Sequence, residues 1–127
     1  MITKDLNESD LNSVREIHEK FYKEEFDFPD FYNHFICRFV SIDNDNIIAA
    51  GGIRTISEAV LITNKDATIK QRHRALLDIL NICGFCSRSN DYDQIHAFVK
   101  NDDPWENRLL KEGFKYCAGK AMYLNIE

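Results

Sequence analysis

Two apolar runs, FICRFVSI (35–42) and NIIAAGGIRTI (46–56), face each other across the turn-rich DNDN (43–46). No other stretch restricts the fold as tightly. Asn and Asp tolerate the left-handed backbone of tight hairpin turns, and the flanking runs carry the β-branched and aromatic residues that favour strands, so the pattern predicts an antiparallel hairpin. The remaining elements have to cover that hairpin. Residues 2–6 read as an extended start. Leu11, Val14, Ile17 and Phe21 recur at helical spacing, which predicts a helix over 10–24 with Ser9 or Asn7 able to cap it. The aromatic FDFPDFYNHF (26–35) has no clean period and contains Pro29, so it reads as a loop or short helix covering a groove.

Beyond the hairpin, a turn at Ser57 leads to another apolar run, AVLIT (59–63). Residues 70–87 then place Leu76, Ile79, Leu80, Cys83 and Cys86 on one stripe, which predicts a half-buried helix. QIHAFV (94–99) and KAMYLNI (120–126) read as strands. Between them DPWENRLLKEGF (103–114) is a punctuated helix: Asp103 suits the N-cap, Pro104 the first helical position, Glu106 the reciprocal capping position and Gly113 the C-terminal stop. The order predicts one mixed α/β domain over 1–127, with an antiparallel front and at least one helical crossover.

Composition narrows the function classes. Among 127 residues, 44% are hydrophobic and 12% aromatic, enough for one packed core. A net charge of -5 argues against nucleic-acid binding, because a phosphate-backbone binder needs a cationic surplus. No apolar run approaches the roughly 20 residues of a membrane span, and the first residues lack the basic start and apolar stretch of an export signal. The expected setting is therefore the cytoplasm, with no membrane partner and with Cys37, Cys83, Cys86 and Cys117 as reduced thiols.

Against that acidic background, Lys65, Lys70, Arg72, His73 and Arg74 crowd one turn opposed only by Asp66. A strand ending at Thr63, a polar turn and a helix starting near Lys70 would present free amides and the positive helix end, which suits a phosphate or diphosphate. A solvated basic face is the other reading of the same residues.

Here the chain resembles the GCN5-related N-acetyltransferases, over nearly its whole length, and among them small phage-encoded members. The family's phosphate loop runs as Arg or Gln, two residues, Gly, one residue, Gly or Ala, often followed by a stretch like RALL. Aligning RALLDIL (74–80) with that stretch puts Thr68 at the opening position and Gln71 and His73 at the glycine positions. Opening instead at Gln71 puts Arg74 and Leu76 there, so glycine is absent in either frame. The resemblance implies an acyl-CoA N-acyltransferase fold with a central mixed sheet of about six strands flanked by helices. It implies acetyl-CoA as co-substrate and a primary amine as acceptor. Thr68, Ile69, Lys70, Gln71, Arg72, His73 and Arg74 would hold the diphosphate, partly by cationic side chains in place of backbone donors. Leu61, Ile62 and Thr63 would offer amides to the thioester carbonyl.

VKNDDPWENRLLKEGFKY (99–116) is similar to the family segment in which an asparagine follows the fifth strand and a helix ends in Gly-Phe. Asn101 and Asn107 are the implied partners of the pantetheine arm. The tyrosine that commonly protonates the leaving thiolate is replaced by Leu109, which leaves Tyr116 or Tyr123 to substitute, unless each is simply an amphipathic strand residue. His96 matches a position that holds a catalytic glutamate in some relatives, and an imidazole is suited to deprotonating an ammonium group. A hydrogen-bonded structural histidine is the alternative. Glu58 is the second candidate base. Glu24, Glu25, Asp27 and Asp30 could attract a cationic acceptor or merely solvate the aromatic loop.

Two other functions fit parts of the sequence. The missing glycines and tyrosine suit a binding or assembly module that has lost its chemistry. CGFC (83–86) has dithiol redox spacing, but it closes a helix rather than opening one and continues the apolar stripe, so core packing is the expectation. Cys37 and Cys117 lack the paired spacing of a zinc site, so no metal is expected. The sequence leaves a homodimer open.

Overall fold

The computed structural model describes residues 1–126. Strand β1 (Ile2–Asp5) leads through a 3-10 turn (Glu8–Asp10) into helix α1 (Leu11–Phe21), followed by the hairpin strands β2 (Phe35–Asp43) and β3 (Asn46–Arg54). Helices α2 (Ile69–Ser89) and α3 (Pro104–Lys111) complete the regular elements.

The predicted hairpin forms, and β1 joins it to give a three-stranded antiparallel sheet in the order β1-β2-β3. Asn44 and Asp45 take φ of 50° and 66°, the left-handed turn that their short polar side chains tolerate. Val40 sits in the middle strand, opposite Lys4 on one side and Ala50 on the other, and none of its surface is exposed. Gly52 permits close approach of the two hairpin strands, since a Cβ there would collide with the carbonyl oxygen of Cys37. Val14 of α1, with Leu6 and Phe31, packs on Val40 to form the core, and Leu11, Phe28, Phe35, Ile42 and Ile47 close around it.

The six-stranded sheet implied by the family resemblance does not form. Residues 59–63 and 94–99 meet only at one isolated parallel bridge, Glu58 with His96, and residues 120–126 join no ladder. The bridge consists of the His96 amide donating to the Ser57 carbonyl and the Ala59 amide donating to the His96 carbonyl, both at 2.8 Å. Past it the two segments part. A period-2 apolar pattern describes a surface suited to a sheet without specifying which strand will pair with it, and non-local parallel pairing has to offset the closure of a long connection.

The predicted helices all form, with shifts of a residue or more at their ends. Asp103 caps α3 by accepting from the Trp105 amide at 2.9 Å, and Gly113 follows the helix at φ 101°. Glu106 makes no reciprocal capping bond and instead interacts with Tyr116. The apolar stripe of α2 is only partly covered: Leu76 is buried, whereas Ile79, Cys83 and Cys86 are exposed. Core packing of the two cysteines is thereby corrected. Nothing packs over the second half of α2 to bury them. All four cysteines are free.

A polar clasp ties the sheet to the second half of the chain. The His34 ring stacks on Tyr92 at 3.8 Å between centroids, and His34 Nε2 lies 3.2 Å from the Asp91 carbonyl. The Thr55 amide donates to the His34 carbonyl, and the Thr55 hydroxyl meets the Tyr92 hydroxyl at 2.9 Å. Among the described residues no helix is long and apolar enough to cross a membrane.

Candidate functional site

A cleft of about 2060 Å³ opens between these two halves. Its walls are α1 and the aromatic loop, the β3 residues Ile48, Ala49, Ala50, Gly51 and Gly52, the second half of α2, the segment 92–99, and residues 112–121 after α3. Of the predicted catalytic residues, His96 and Tyr116 line it, whereas Glu58 does not.

The bridge fixes the His96 backbone on both sides, so its ring is held at the wall rather than on a free loop. His96 Nδ1 is buried and has no hydrogen-bond partner. A buried nitrogen in that state is unsatisfied, and an acceptor would meet it only by displacing what covers it. Glu58 is the bridge partner of His96 but is exposed.

Tyr116 is 72% exposed at the cleft rim. Its phenol is raised above its ordinary value of 10.0 by partial desolvation and by the nearby Glu106 carboxylate, which disfavours the phenolate. With so much of the ring in water, the carboxylate is the physically stronger cause. The consequence is a phenol that keeps its proton at neutral pH.

The phosphate corner differs from its sequence expectation. Thr68 Oγ1 accepts from the Gln71 amide at 3.1 Å, and Gln71 Oε1 accepts from the Thr68 amide at 3.0 Å. This reciprocal box fills part of the helix end with the chain's own side chains. In the preceding turn the Asp66 amide donates to Asn64 Oδ1 and the Ala67 amide to the Asn64 carbonyl. The amides of Ile69 and Lys70 remain without acceptors, as the first helical positions must. Arg74 turns away to Asp78, with Nε at 3.1 and 3.3 Å from its two oxygens. Lys70 is exposed, and Arg72 Nε is buried without a partner.

His73 connects this corner to the cleft. Its Nε2 lies 3.8 Å from Glu112 Oε1, and Glu112, Gly113 and Phe114 line the cleft. Leu61, Ile62 and Thr63 make no backbone hydrogen bonds among the described residues, yet they do not line the cleft, and neither do Asn101 and Asn107. Of the acidic acceptor candidates, Glu25 and Asp27 line it, while Glu24 and Asp30 do not.

Sequence reasoning missed His18. It is 8% exposed, lines the cleft, places Nε2 2.6 Å from the Phe26 carbonyl, and is flanked edge-on by the rings of Phe26 and Phe28. The carbonyl can only accept, so Nε2 carries the proton. The signal was present: His18 lies four positions after Val14, on the inward face of the same helix.

Comparison with protein-family models, with curated proteins and with solved structures finds no match to this chain.

Proposed function

We propose that the protein is an acetyl-CoA-dependent N-acetyltransferase that moves an acetyl group to a primary amine by direct attack. The reading is carried by the parallel bridge, which holds His96 and its partnerless Nδ1 at the wall of a cleft that also contains Tyr116. It is supported by the two free amides and the Lys70, Arg72 and His73 side chains at the start of α2, and by His73 standing beside the cleft residue Glu112. The donor group set is suited to a diphosphate, although the Thr68–Gln71 box leaves fewer amides than a glycine loop would.

The co-substrate would supply an activated thioester. His96 takes a proton from the ammonium form of the acceptor, freeing the nitrogen lone pair to attack the thioester carbonyl carbon. The carbon–sulfur bond breaks, the departing thiolate takes the Tyr116 proton, and the second proton of the attacking nitrogen, shed as the amide forms, restores the phenol, so that His96 holds the one proton released. No covalent enzyme intermediate is needed. Leu61, Ile62 and Thr63, standing off the cleft, have no part in this scheme.

Two measurements test it. Acetyl-CoA at about 100 times its dissociation constant should raise unfolding stability by about 2.7 kcal/mol. His96→Ala should lower kcat by about a hundredfold or more with little change in KM. Equal turnover in the two proteins rejects His96 as the base. The filled corner at Thr68 favours one competing reading, a non-catalytic binding module. Absence of any thermal shift at millimolar acetyl-CoA would establish that reading over the enzyme.

A further inference from the structure

The cleft is about twice the upper end of ordinary small-molecule pockets, which run from about 300 to 1,000 Å³. Something besides a small ligand fits there. One wall consists of five consecutive β3 residues, Ile48 to Gly52 in unbroken sequence. Ala49, Ala50, Gly51 and Gly52 carry little or no side chain, so the cleft reaches the backbone of β3 itself. β3 pairs with β2 alone, and its other edge presents unpaired backbone groups along nine residues. From Ile47 to Ile53 no charge or proline blocks that edge, the usual protection of an exposed strand; Arg54, at the strand's end, is the one charge of β3.

The same chain carries a segment with the complementary deficiency. Residues 120–126 make no hydrogen bond, backbone or side chain, among the described residues. Met122, Leu124 and Ile126 share one face with Lys120, and these three apolar residues are 93%, 84% and 92% exposed. Gly119, at φ 81°, turns the chain into this segment.

Surface area identifies the scale of what is missing. The chain exposes 10989 Å², whereas a compact monomer of 14.8 kDa exposes about 7,000 Å². The surplus exceeds the roughly 1,200 to 2,000 Å² that a stable two-protein interface buries in total. We infer that the partner is a second copy of this chain: residues 120–126 of each copy add as a strand to the β3 edge of the other, in a reciprocal, closed two-fold exchange. A copy of itself supplies one free strand for each free edge, which an unrelated partner would not. Reciprocity also closes the assembly at two, because both edges are then used. This holds whatever the cleft's chemistry.

The test uses the intact chain. Light scattering after size exclusion, from nanomolar to high micromolar protein, should show twice the 14.8 kDa monomer mass at the upper end. Met122→Asp with Leu124→Asp should be monomeric throughout while keeping the far-ultraviolet dichroism of the parent. A wild-type chain that stays monomeric, or a dimer that survives both substitutions, overturns the inference. Should the variant unfold, hydrogen exchange on the wild-type chain decides. Amides of residues 120–126 and of β3 should exchange about tenfold or more slowly in the concentrated protein than after dilution. Fast exchange of residues 120–126 at every concentration overturns it equally.

Discussion

The two halves of this chain have similar amounts of apolar residue and use them differently. In residues 1–54, four buried side chains, Leu6, Val14, Phe31 and Val40, form one connected core under a sheet whose three strands are all paired, β2 and β3 through a tight turn and β1 across α1. In residues 55–126 only Leu76 is buried, and the strand-like segments touch at a single bridge. Hydrophobic content therefore does not decide burial. The β2–β3 hairpin closes at little entropic cost and offers β1 a formed edge to join, whereas 59–63 and 94–99 must find each other across the whole of α2 with no hairpin beside them to join.

The sharpest way to break this contrast is Val40→Asp. A charge at a fully enclosed position between two ladders should destabilise the first half by about 4 kcal/mol or more, read as loss of cooperative unfolding in urea. Leu76→Ala should cost less, about 2 to 3 kcal/mol, because its surroundings are thinly packed and can relax. If Leu76→Ala equalled Val40→Asp, the second half would have to possess a core of comparable order.

Asp103→Ala removes the N-cap of α3 and should cost about 1 kcal/mol, confined to the second half. Hydrogen exchange should quicken in α3 while β2 is unchanged. Smallest of all is Glu106→Gln. The Tyr116 phenol stands above its ordinary value in the folded chain, so its contribution to stability is complete below pH 10 and is lost as pH rises through the folded value. Replacing Glu106 removes the repulsion, so phenolate absorbance should appear at lower pH and the alkaline fall in stability should shrink. No movement of that titration would leave Glu106 without influence on Tyr116.

What was legible in the sequence follows the same division. The hairpin was announced by Asn44 and Asp45, and α3 by Asp103, Pro104 and Gly113, whereas the box at Thr68 and Gln71 that starts α2 was passed over for a phosphate-loop reading of the same residues. Each signal is satisfied within a few residues of itself. The sheet order beyond β3 was not legible, because an alternating run such as 120–126 looks the same whether or not a partner strand lies beside it. Exposure of Cys83 and Cys86 was hidden for a related reason: a helical stripe marks the face that could be covered, and the covering element is specified elsewhere. His96 and Tyr116, chosen through the family resemblance, share the cleft, while the polar residues that the same resemblance assigned to the cofactor arm, Asn101 and Asn107, fell outside it.

The stacked pair His34 and Tyr92 has a mechanical meaning. It fastens the halves at one polar point, and α2, about 30 Å long by its 21 residues, reaches away from that point along the gap. By geometry alone, a rotation of a few degrees at the ring stack would carry the far end of α2 through an ångström or more. The gape of the molecule is set by two aromatic rings and a threonine hydroxyl.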